Sequence, residues 1–148
     1  MSVINQLLTE KVRPKNLDQI ILLDRIRKSV DYETLSQNFL FHSQVPGSGK
    51  TSLSKILSSD KPTLYLNVSS EGRIDVLREE ITEFCSTRAL NNYDSDYKVV
   101  ILDEMDGGSN EFFKALRAVM EKFSDHVRFI GTCNYINKIP EPIQLDFW

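Results

Sequence analysis

The sequence predicts a three-layer α/β/α sandwich built around an open, mostly parallel β-sheet. Four short apolar runs alternate along the chain with segments whose apolar residues recur at helical spacing, the pattern of strands joined by crossover helices. The apolar runs are nearly continuous, as expected for parallel strands that helices cover on both faces. A glycine-rich loop follows the first run, at the sheet edge where ligands bind in such folds. We therefore treat residues 1–148 as one α/β domain, since this length suffices for a single core.

The N-terminal region precedes the sheet and is less regular than the rest. The sequence predicts a short helical start and then an extended elbow at Pro14, because the residue before a proline is kept out of the helical region. An apolar turn is predicted at residues 17–23, and a helix is predicted from about Asp24 to Leu35. We find no internal repeat and no linker.

The alternating part of the chain begins at Phe39. Strands are predicted at Phe39–His42, Thr63–Val68, Tyr97–Leu102 and Val127–Thr132, and helices at Lys50–Leu57, Ile74–Leu90 and Ser109–Phe123. In the second and third of these helices the apolar residues recur at three- and four-residue steps and form one face. We interpret these faces as core surfaces and not as cofactor contacts.

Composition and charge limit the possible settings. The chain is 41% hydrophobic and 26% charged, with a net charge of −3. Because no apolar run approaches the length of a membrane span and no signal-peptide pattern is present, we expect a cytoplasmic protein with no membrane partner. The acidic balance argues against nucleic-acid binding through bulk positive charge, but it permits a local basic stripe or binding by an assembly. The two cysteines, Cys85 and Cys133, are predicted to be small buried side chains.

The glycine-rich loop carries the strongest functional signal. In Pro46-Gly47-Ser48-Gly49-Lys50-Thr51 the glycines let the backbone curl around phosphate, and the amides and dipole of the following helix attract anions. Lys50 can reach the β- and γ-phosphates, and the Thr51 hydroxyl can bind Mg²⁺. The loop is a P-loop with one departure, because Gln44 stands where the template has its first glycine. The predicted phosphate-binding residues are Pro46, Gly47, Ser48, Gly49, Lys50, Thr51 and Ser52. The alternative is an ordinary strand–loop–helix connection that is rich in glycine.

Two adjacent carboxylates follow the third apolar run. Asp103 and Glu104 would both lose hydration at a buried strand end unless a cation compensates them. An Mg²⁺ held by Thr51 and Asp103 would supply that charge, and Glu104 would then polarise the attacking water. The alternative is that both carboxylates are simply solvated at the start of a loop.

An asparagine ends the fourth run, in Thr132-Cys133-Asn134. Asn134 could hydrogen-bond the γ-phosphate or the attacking water, although asparagine also commonly ends strands. Its position gives it weight, since we expect its strand to lie beside the one that carries Asp103. The candidate catalytic residues are thus Lys50, Asp103, Glu104 and Asn134.

The ordered set of motifs resembles clamp-loader ATPases, and the chain is similar to the first AAA+ domain of a sliding-clamp loader subunit, most of all the bacteriophage large subunit. The motifs are Glu10-Lys11-Val12-Arg13-Pro14, Pro46-Gly47-Ser48-Gly49-Lys50-Thr51, Asn67-Val68-Ser69, Leu102-Asp103-Glu104, Ala115-Leu116-Arg117 with Met120-Glu121, and Thr132-Cys133-Asn134. The resemblance covers nearly the whole chain and implies a P-loop NTPase fold of the AAA+ type.

The resemblance also implies roles that spacing alone does not give. Arg73 matches a basic position that contacts the template-strand backbone, although a solvated arginine near a helix N-terminus is an equally good interpretation. Asn134 would be the sensor 1 residue. The residues that would line the adenine pocket are Val12, Arg13, Pro14, Ile20 and Ile21.

The sequence departs from the family pattern near its end. Family members follow the Pro-Ile-Gln segment with Ser-Arg-Cys, whose arginine reaches into a neighbouring subunit's site, whereas Gln144 is followed here by Leu145-Asp146-Phe147-Trp148. We expect the sandwich to be truncated before its last strand, helical lid and collar, so that the chain is a natural or cloned fragment.

The leading hypothesis is the ATP-binding and ATPase module of a clamp loader. It would use ATP and Mg²⁺ to open the sliding clamp and load it on primer-template DNA with the other subunits, in the cytoplasm of a bacterium or a phage-infected host. Alone, the fragment is expected to bind nucleotide weakly with negligible turnover, because arginine fingers supplied in trans contribute roughly 10³–10⁵ in rate. Two alternatives remain open: a non-catalytic assembly module with a degenerate nucleotide site, and another AAA+ ATPase such as a helicase loader or initiator. A small kinase fits less well, since the paired acids suit water activation.

Overall fold

The computed structural model describes residues 16, 24–29, 35, 37–70, 74–87 and 97–147. Within these ranges the chain alternates strand and helix, as predicted. The strands are β1 (Phe39–His42), β2 (Thr63–Asn67), β3 (Lys98–Asp103) and β4 (Val127–Cys133), and the helices are α1 (Asp24–Ser29), α2 (Lys50–Leu57), α3 (Ile74–Ser86), α4 (Asn110–Lys122) and α5 (Glu141–Asp146). Two short 3₁₀ turns lie at Met105–Gly107 and Ile136–Lys138.

The four strands form one parallel sheet in the order β1-β4-β3-β2. The last strand in the chain is therefore central, between the strand that precedes the P-loop and the strand that carries Asp103. The register pairs His42 with Cys133 and Asn67 with Asp103. Because all strands run the same way, their carboxyl ends meet at one edge, and the sequence-predicted site lies there.

Two apolar cores cover the two faces of the sheet, which confirms the three-layer architecture. The larger core lies under α3, α4 and α5, and its largest fully buried members include Phe129, Leu102, Leu116 and Ile139. The second core lies under α2 and joins Leu53 and Leu57 to Val99, Ile101 and Ile130. Alternate residues of β3 thus serve opposite cores, which is why this strand is buried along its whole length.

The predicted strand ends differ from the observed ends by at most one residue, but two helix ends were wrong, and the first of them is that of α3. The helix that was predicted to reach Leu90 stops at Ser86. The carbonyl of Phe84 accepts hydrogen bonds from Lys98 Nζ at 2.6 Å and from Thr87 Oγ1 at 3.0 Å. A side chain from a distant strand therefore satisfies one carbonyl of the last helical turn.

The other helix boundaries also have local causes. Helix α4 begins at Asn110 because the Ser109 hydroxyl caps it, accepting from the Phe112 amide at 3.1 Å. Helix α1 ends at Ser29 within the described residues, and Leu35 has a φ of 46°, which no right-handed helix contains. The prediction of a helix as far as Leu35 was therefore wrong at its end. Residues 30–34 lie outside the described part of the chain.

Two further predictions concern burial and membrane insertion. Cys85 and Cys133 are both free and buried, as predicted. Among the described helices, none combines the length and the apolar character needed to cross a membrane.

Candidate nucleotide site

The P-loop connects β1 to α2 and has the backbone of an anion-binding loop. Gly47 and Gly49 have φ values of 74° and 89°, in the left-handed region that glycine enters without strain. No atom outside its chain neighbours lies within 4 Å of a Cβ built on Gly47, so the space beside this residue is open. Gly49 is the N-cap of α2, and its carbonyl accepts the first helical hydrogen bond, from Leu53. The free amides of the first turn are thus presented to the loop.

Lys50 lies across this loop. Its ammonium donates to the Ser43 carbonyl at 3.2 Å and to the Ser48 hydroxyl at 3.1 Å. Both acceptors belong to the loop itself, so the charge is held over the cradle at the helix N-terminus. The position suits an ammonium that exchanges these neutral acceptors for phosphate oxygens.

Asp103 is surrounded by hydroxyl groups from three different elements. The Thr51 hydroxyl at the start of α2 lies 3.0 Å from Oδ1 and 3.1 Å from Oδ2. The Tyr65 phenol on β2 donates to Oδ2 at 2.5 Å, and the Thr132 hydroxyl on β4 donates to Oδ1. Asp103 is only 6% exposed, so these donors replace the water that the carboxylate loses.

Thr132 connects Asp103 to the next residue. Its oxygen also accepts a hydrogen bond from the Glu104 amide at 3.1 Å. One hydroxyl on β4 therefore fixes both the metal-ligand candidate and the backbone of the water-activating candidate. Thr132 is 2% exposed, so water has little access to compete for these bonds.

Glu104 turns the chain sharply out of the sheet. Its φ and ψ of 54° and 49° place a non-glycine residue in the left-handed region, which costs roughly 1–2 kcal/mol. The turn brings its exposed carboxylate to Ser69, whose hydroxyl contacts both Glu104 Oε2 and Asn67 Oδ1. A hydroxyl carries one proton and can serve only one of these acceptors at a time. Asn67 Oδ1 is in any case bonded to the amides of Ser69 and Ser70.

Asp106 links this turn to the residues that follow β4. Its Oδ2 atom accepts hydrogen bonds from the backbone amides of Asn134 and Tyr135, each at 3.1 Å. The start of the segment that carries Asn134 is therefore fixed to the Met105–Gly107 turn. Asn134 itself lies at the carboxyl edge of the sheet, beside the P-loop strand, because the Ser43 amide bonds to the Cys133 carbonyl at 3.3 Å.

The pKa of the buried Cys133 thiol is well above its usual value. Burial raises the pKa of Cys133 to about 11, with a further increase from the negative charge of Asp106 and an opposing effect of Lys50. The thiol therefore stays protonated near neutral pH and acts as an apolar side chain beneath the site.

The structure thus brings together Lys50, Thr51, Asp103 and Glu104 at one edge of the sheet, with Asn134 after the neighbouring strand. Six residues predicted from the resemblance lie outside the described part of the chain: Val12, Arg13, Pro14, Ile20, Ile21 and Arg73. The prediction that the strand of Asn134 lies beside that of Asp103 is confirmed by the pairing of β3 with β4.

Four side chains in this arrangement were not predicted to belong to the site: Tyr65, Ser69, Thr132 and Asp106. Ser69 and Thr132 stand in motifs that the sequence singled out, Asn67-Val68-Ser69 and Thr132-Cys133-Asn134, so a signal for them existed. Tyr65 carried no sequence signal for a role in the site, because aromatic residues are common in strands.

The residues present fit a magnesium ion. Its preferred ligands are oxygens, of which protein side chains supply only one or two, with water and phosphate completing the shell. Thr51 Oγ1 and the Asp103 carboxylate are adjacent oxygens at the mouth of the phosphate loop. The candidate ligands are thus two side chains that offer only oxygen atoms, which matches the preference of magnesium.

Comparison with known proteins agrees with this geometry. The family model described as "ATPase family associated with various cellular activities (AAA)" matches residues 40–147. A replication factor C small subunit of Sulfolobus acidocaldarius is 39% identical in an alignment 146 residues long, which covers 91% of this chain and 44% of that protein. A probable replication factor C subunit 5 of Dictyostelium discoideum is 40% identical, over 91% of this chain and 42% of that protein. The chain thus spans less than half the length of these relatives.

Solved structures agree at the level of the fold. Two RuvB mutants of Thermotoga maritima superpose with TM-scores of 0.71 and 0.69, and each covers 92% of this chain. This chain covers 47% and 46% of those proteins, at 18% and 20% identity. With a family model matched over most of its length and a P-loop sheet of this topology, the chain belongs to the AAA family of ATPases.

Proposed function

We propose that this chain is the ATP-binding and ATP-hydrolysing module of a sliding-clamp loader subunit. The observation that carries the proposal is the contact between Thr51 and Asp103, 52 residues apart in sequence and within 3.1 Å at the P-loop. The names of the relatives, replication factor C subunits, support the clamp-loader assignment. On this proposal the partners are other loader subunits, a sliding clamp and primer-template DNA, and the location is the cytoplasm.

The proposed roles follow from position. The loop amides and the Lys50 ammonium bind the phosphates, and Lys50 exchanges Ser43 and Ser48 for phosphate oxygens. Thr51 and Asp103 hold Mg²⁺, which when bound neutralises developing charge on the phosphates. Glu104 orients the attacking water, and its contact with Ser69 positions the carboxylate until that water is present. Asn134, anchored through its amide to Asp106, senses the γ-phosphate.

A thermal-shift titration with ATP and magnesium tests the binding function. A ligand that binds only the native state, at 100 times its dissociation constant, stabilises it by about 2.7 kcal/mol, which corresponds to roughly 5–10 °C in a domain of this size. We expect K50A to abolish the shift and E104Q to retain it. The exposed residues Lys114 and Glu121 supply matched controls, K114A and E121Q, which should both respond like the parent.

Turnover separates an ATPase from a non-catalytic assembly module with a degenerate site. We expect slow hydrolysis at most from this chain alone, because the AAA+ resemblance assigns the arginine finger to a neighbouring subunit. In an assembly with loader subunits, E104Q should lower turnover by at least 100-fold, within the contribution of general base catalysis. The same shift in K50A as in the parent would disprove the assigned site.

A further inference from the structure

Tyr65 contributes to this site although it stands on the outer strand β2. It pairs with Ile101, two residues before Asp103 on β3. Residues two apart on a strand share a face, so the Tyr65 side chain lies on the side where Asp103 and α2 are found. Tyr65 is 40% exposed, and its ring lies under the Lys55 ammonium of α2, 4.7 Å from the ring centroid.

The phenol makes a short hydrogen bond to the carboxylate. Tyr65 Oη lies 2.5 Å from Asp103 Oδ2, in the range of a hydroxyl bound to an ionised acceptor. The other hydroxyl on Oδ2 is that of Thr51, whose oxygen is itself a candidate metal ligand. Tyr65 is therefore a donor to Oδ2 that is not required to contact metal or phosphate.

We propose that Tyr65 is a positioning residue for the metal ligand Asp103. The phenol holds Oδ2 in place when Thr51 turns its oxygen toward the cation, so that the carboxylate keeps a single orientation. Lys55 over the ring restricts the phenol in turn. This inference rests on the proposed function, since it assigns a role within the same magnesium–nucleotide site.

The size of the effect follows from outer-shell groups in metal sites. Removing a hydrogen-bond partner of a metal ligand typically lowers metal affinity or activity about 10–100-fold. Y65F deletes only the hydroxyl and keeps the ring and its contact with Lys55. The loss should therefore appear in the metal dependence of nucleotide binding and not in nucleotide binding itself.

The experiment measures the dissociation constant of a fluorescent ATP analogue with saturating magnesium and again in EDTA. The dissociation constant in EDTA divided by the constant with magnesium reports how strongly metal binding is coupled to nucleotide binding. We expect Y65F to lower this ratio about 10-fold with the EDTA constant unchanged. D103N provides the reference for lost metal coupling. Y97F removes a phenol at the opposite end of β3 and should match the parent.

Each other outcome has a distinct meaning. If D103N loses the coupling while Y65F keeps it, the role of Tyr65 is wrong and the proposed function stands. If Y65F weakens binding equally with magnesium and in EDTA and lowers Tm without ligand, the residue is merely structural and the inference fails. If the parent shows no magnesium dependence, the proposed site is wrong and this inference falls with it.

Discussion

The backbone of Gly107 lies against Ser69 so closely that a Cβ built on Gly107 would be 2.7 Å from the Ser69 Cβ and 2.9 Å from its Cα. The turn after Glu104 and the turn that follows β2 are therefore in direct contact. Ser69 is the residue whose hydroxyl reaches the Glu104 carboxylate. A packing requirement at a glycine thus determines where a candidate catalytic group is held.

We expect G107A to destabilise the protein by about 1–3 kcal/mol, because the added carbon forces the backbone at Ser69 to move. Urea unfolding measures this loss. The double variant S69G/G107A removes one of the two clashing atoms and should recover part of the stability relative to the sum of the single variants. Strict additivity of the two changes would contradict the contact.

T132V should disturb two neighbours at once. Valine preserves the shape but cannot donate to Asp103 or accept from the Glu104 amide, and Thr132 itself is almost inaccessible to water. We expect a loss of about 1–3 kcal/mol in the free energy of unfolding, as for other buried groups left without a partner. T132S keeps the hydroxyl and should lose less stability. Chemical denaturation of both variants under the same conditions measures the two losses. A loss in T132V no larger than that in T132S would contradict the role assigned to the hydroxyl.

Substitution of Asp106 should affect recognition more than stability. D106A leaves the amides of Asn134 and Tyr135 without their acceptor, but Tyr135 is 50% exposed and water can replace part of the interaction. Asn134 would then no longer be fixed beside the nucleotide. We expect the preference for an ATP analogue over ADP, measured as a ratio of dissociation constants, to fall several-fold. D125A, at an exposed residue, should leave the ratio unchanged, and an unchanged ratio in D106A would remove Asn134 from its assigned role.

The two thiols should react slowly in the native protein. Burial raises the pKa of Cys85 and of Cys133 from 9.0 to about 11, so the thiolate fraction near pH 8 is about 100-fold lower than in the unfolded chain. Labelling with Ellman's reagent should be at least that much slower before unfolding than in urea, with C85S and C133S separating the two sites. Because the native pKa is the higher one, each thiol favours the folded state fully below pH 9 and loses this contribution as the pH rises to about 11. Fast labelling of native C85S would show that Cys133 is accessible.

The fold could be predicted because its signals are local. Continuous apolar runs identify buried parallel strands, and glycines before Lys50 identify the phosphate loop, whichever elements become neighbours. The error at the end of α3 arose because the Lys98 side chain, from strand β3, donates a hydrogen bond to the Phe84 carbonyl near the end of the helix. No periodicity within the helix contains that information.

The outer shell of the site was not predictable for the same reason. Tyr65 is 38 residues from Asp103 in sequence, Ser69 is 35 from Glu104, and Thr132 is 29 from Asp103. Their meeting depends on which strands are adjacent and in which register, a property of the folded sheet. The residues that were predicted carry a chemical signature of their own, whereas these hydroxyls acquire their role only from their neighbours.

The parallel pairing of Asn67 with Asp103, and of Leu102 with Gly131, has a consequence for how this protein can vary. A strand that slides by a single residue would turn Asp103 toward the opposite layer and carry the acid away from the phosphate loop. Insertions and deletions inside β2, β3 or β4 should therefore be far more damaging to nucleotide chemistry than changes of loop length at the amino edge. The hydrogen-bond register between the strands therefore sets the position of Asp103 relative to the phosphate loop.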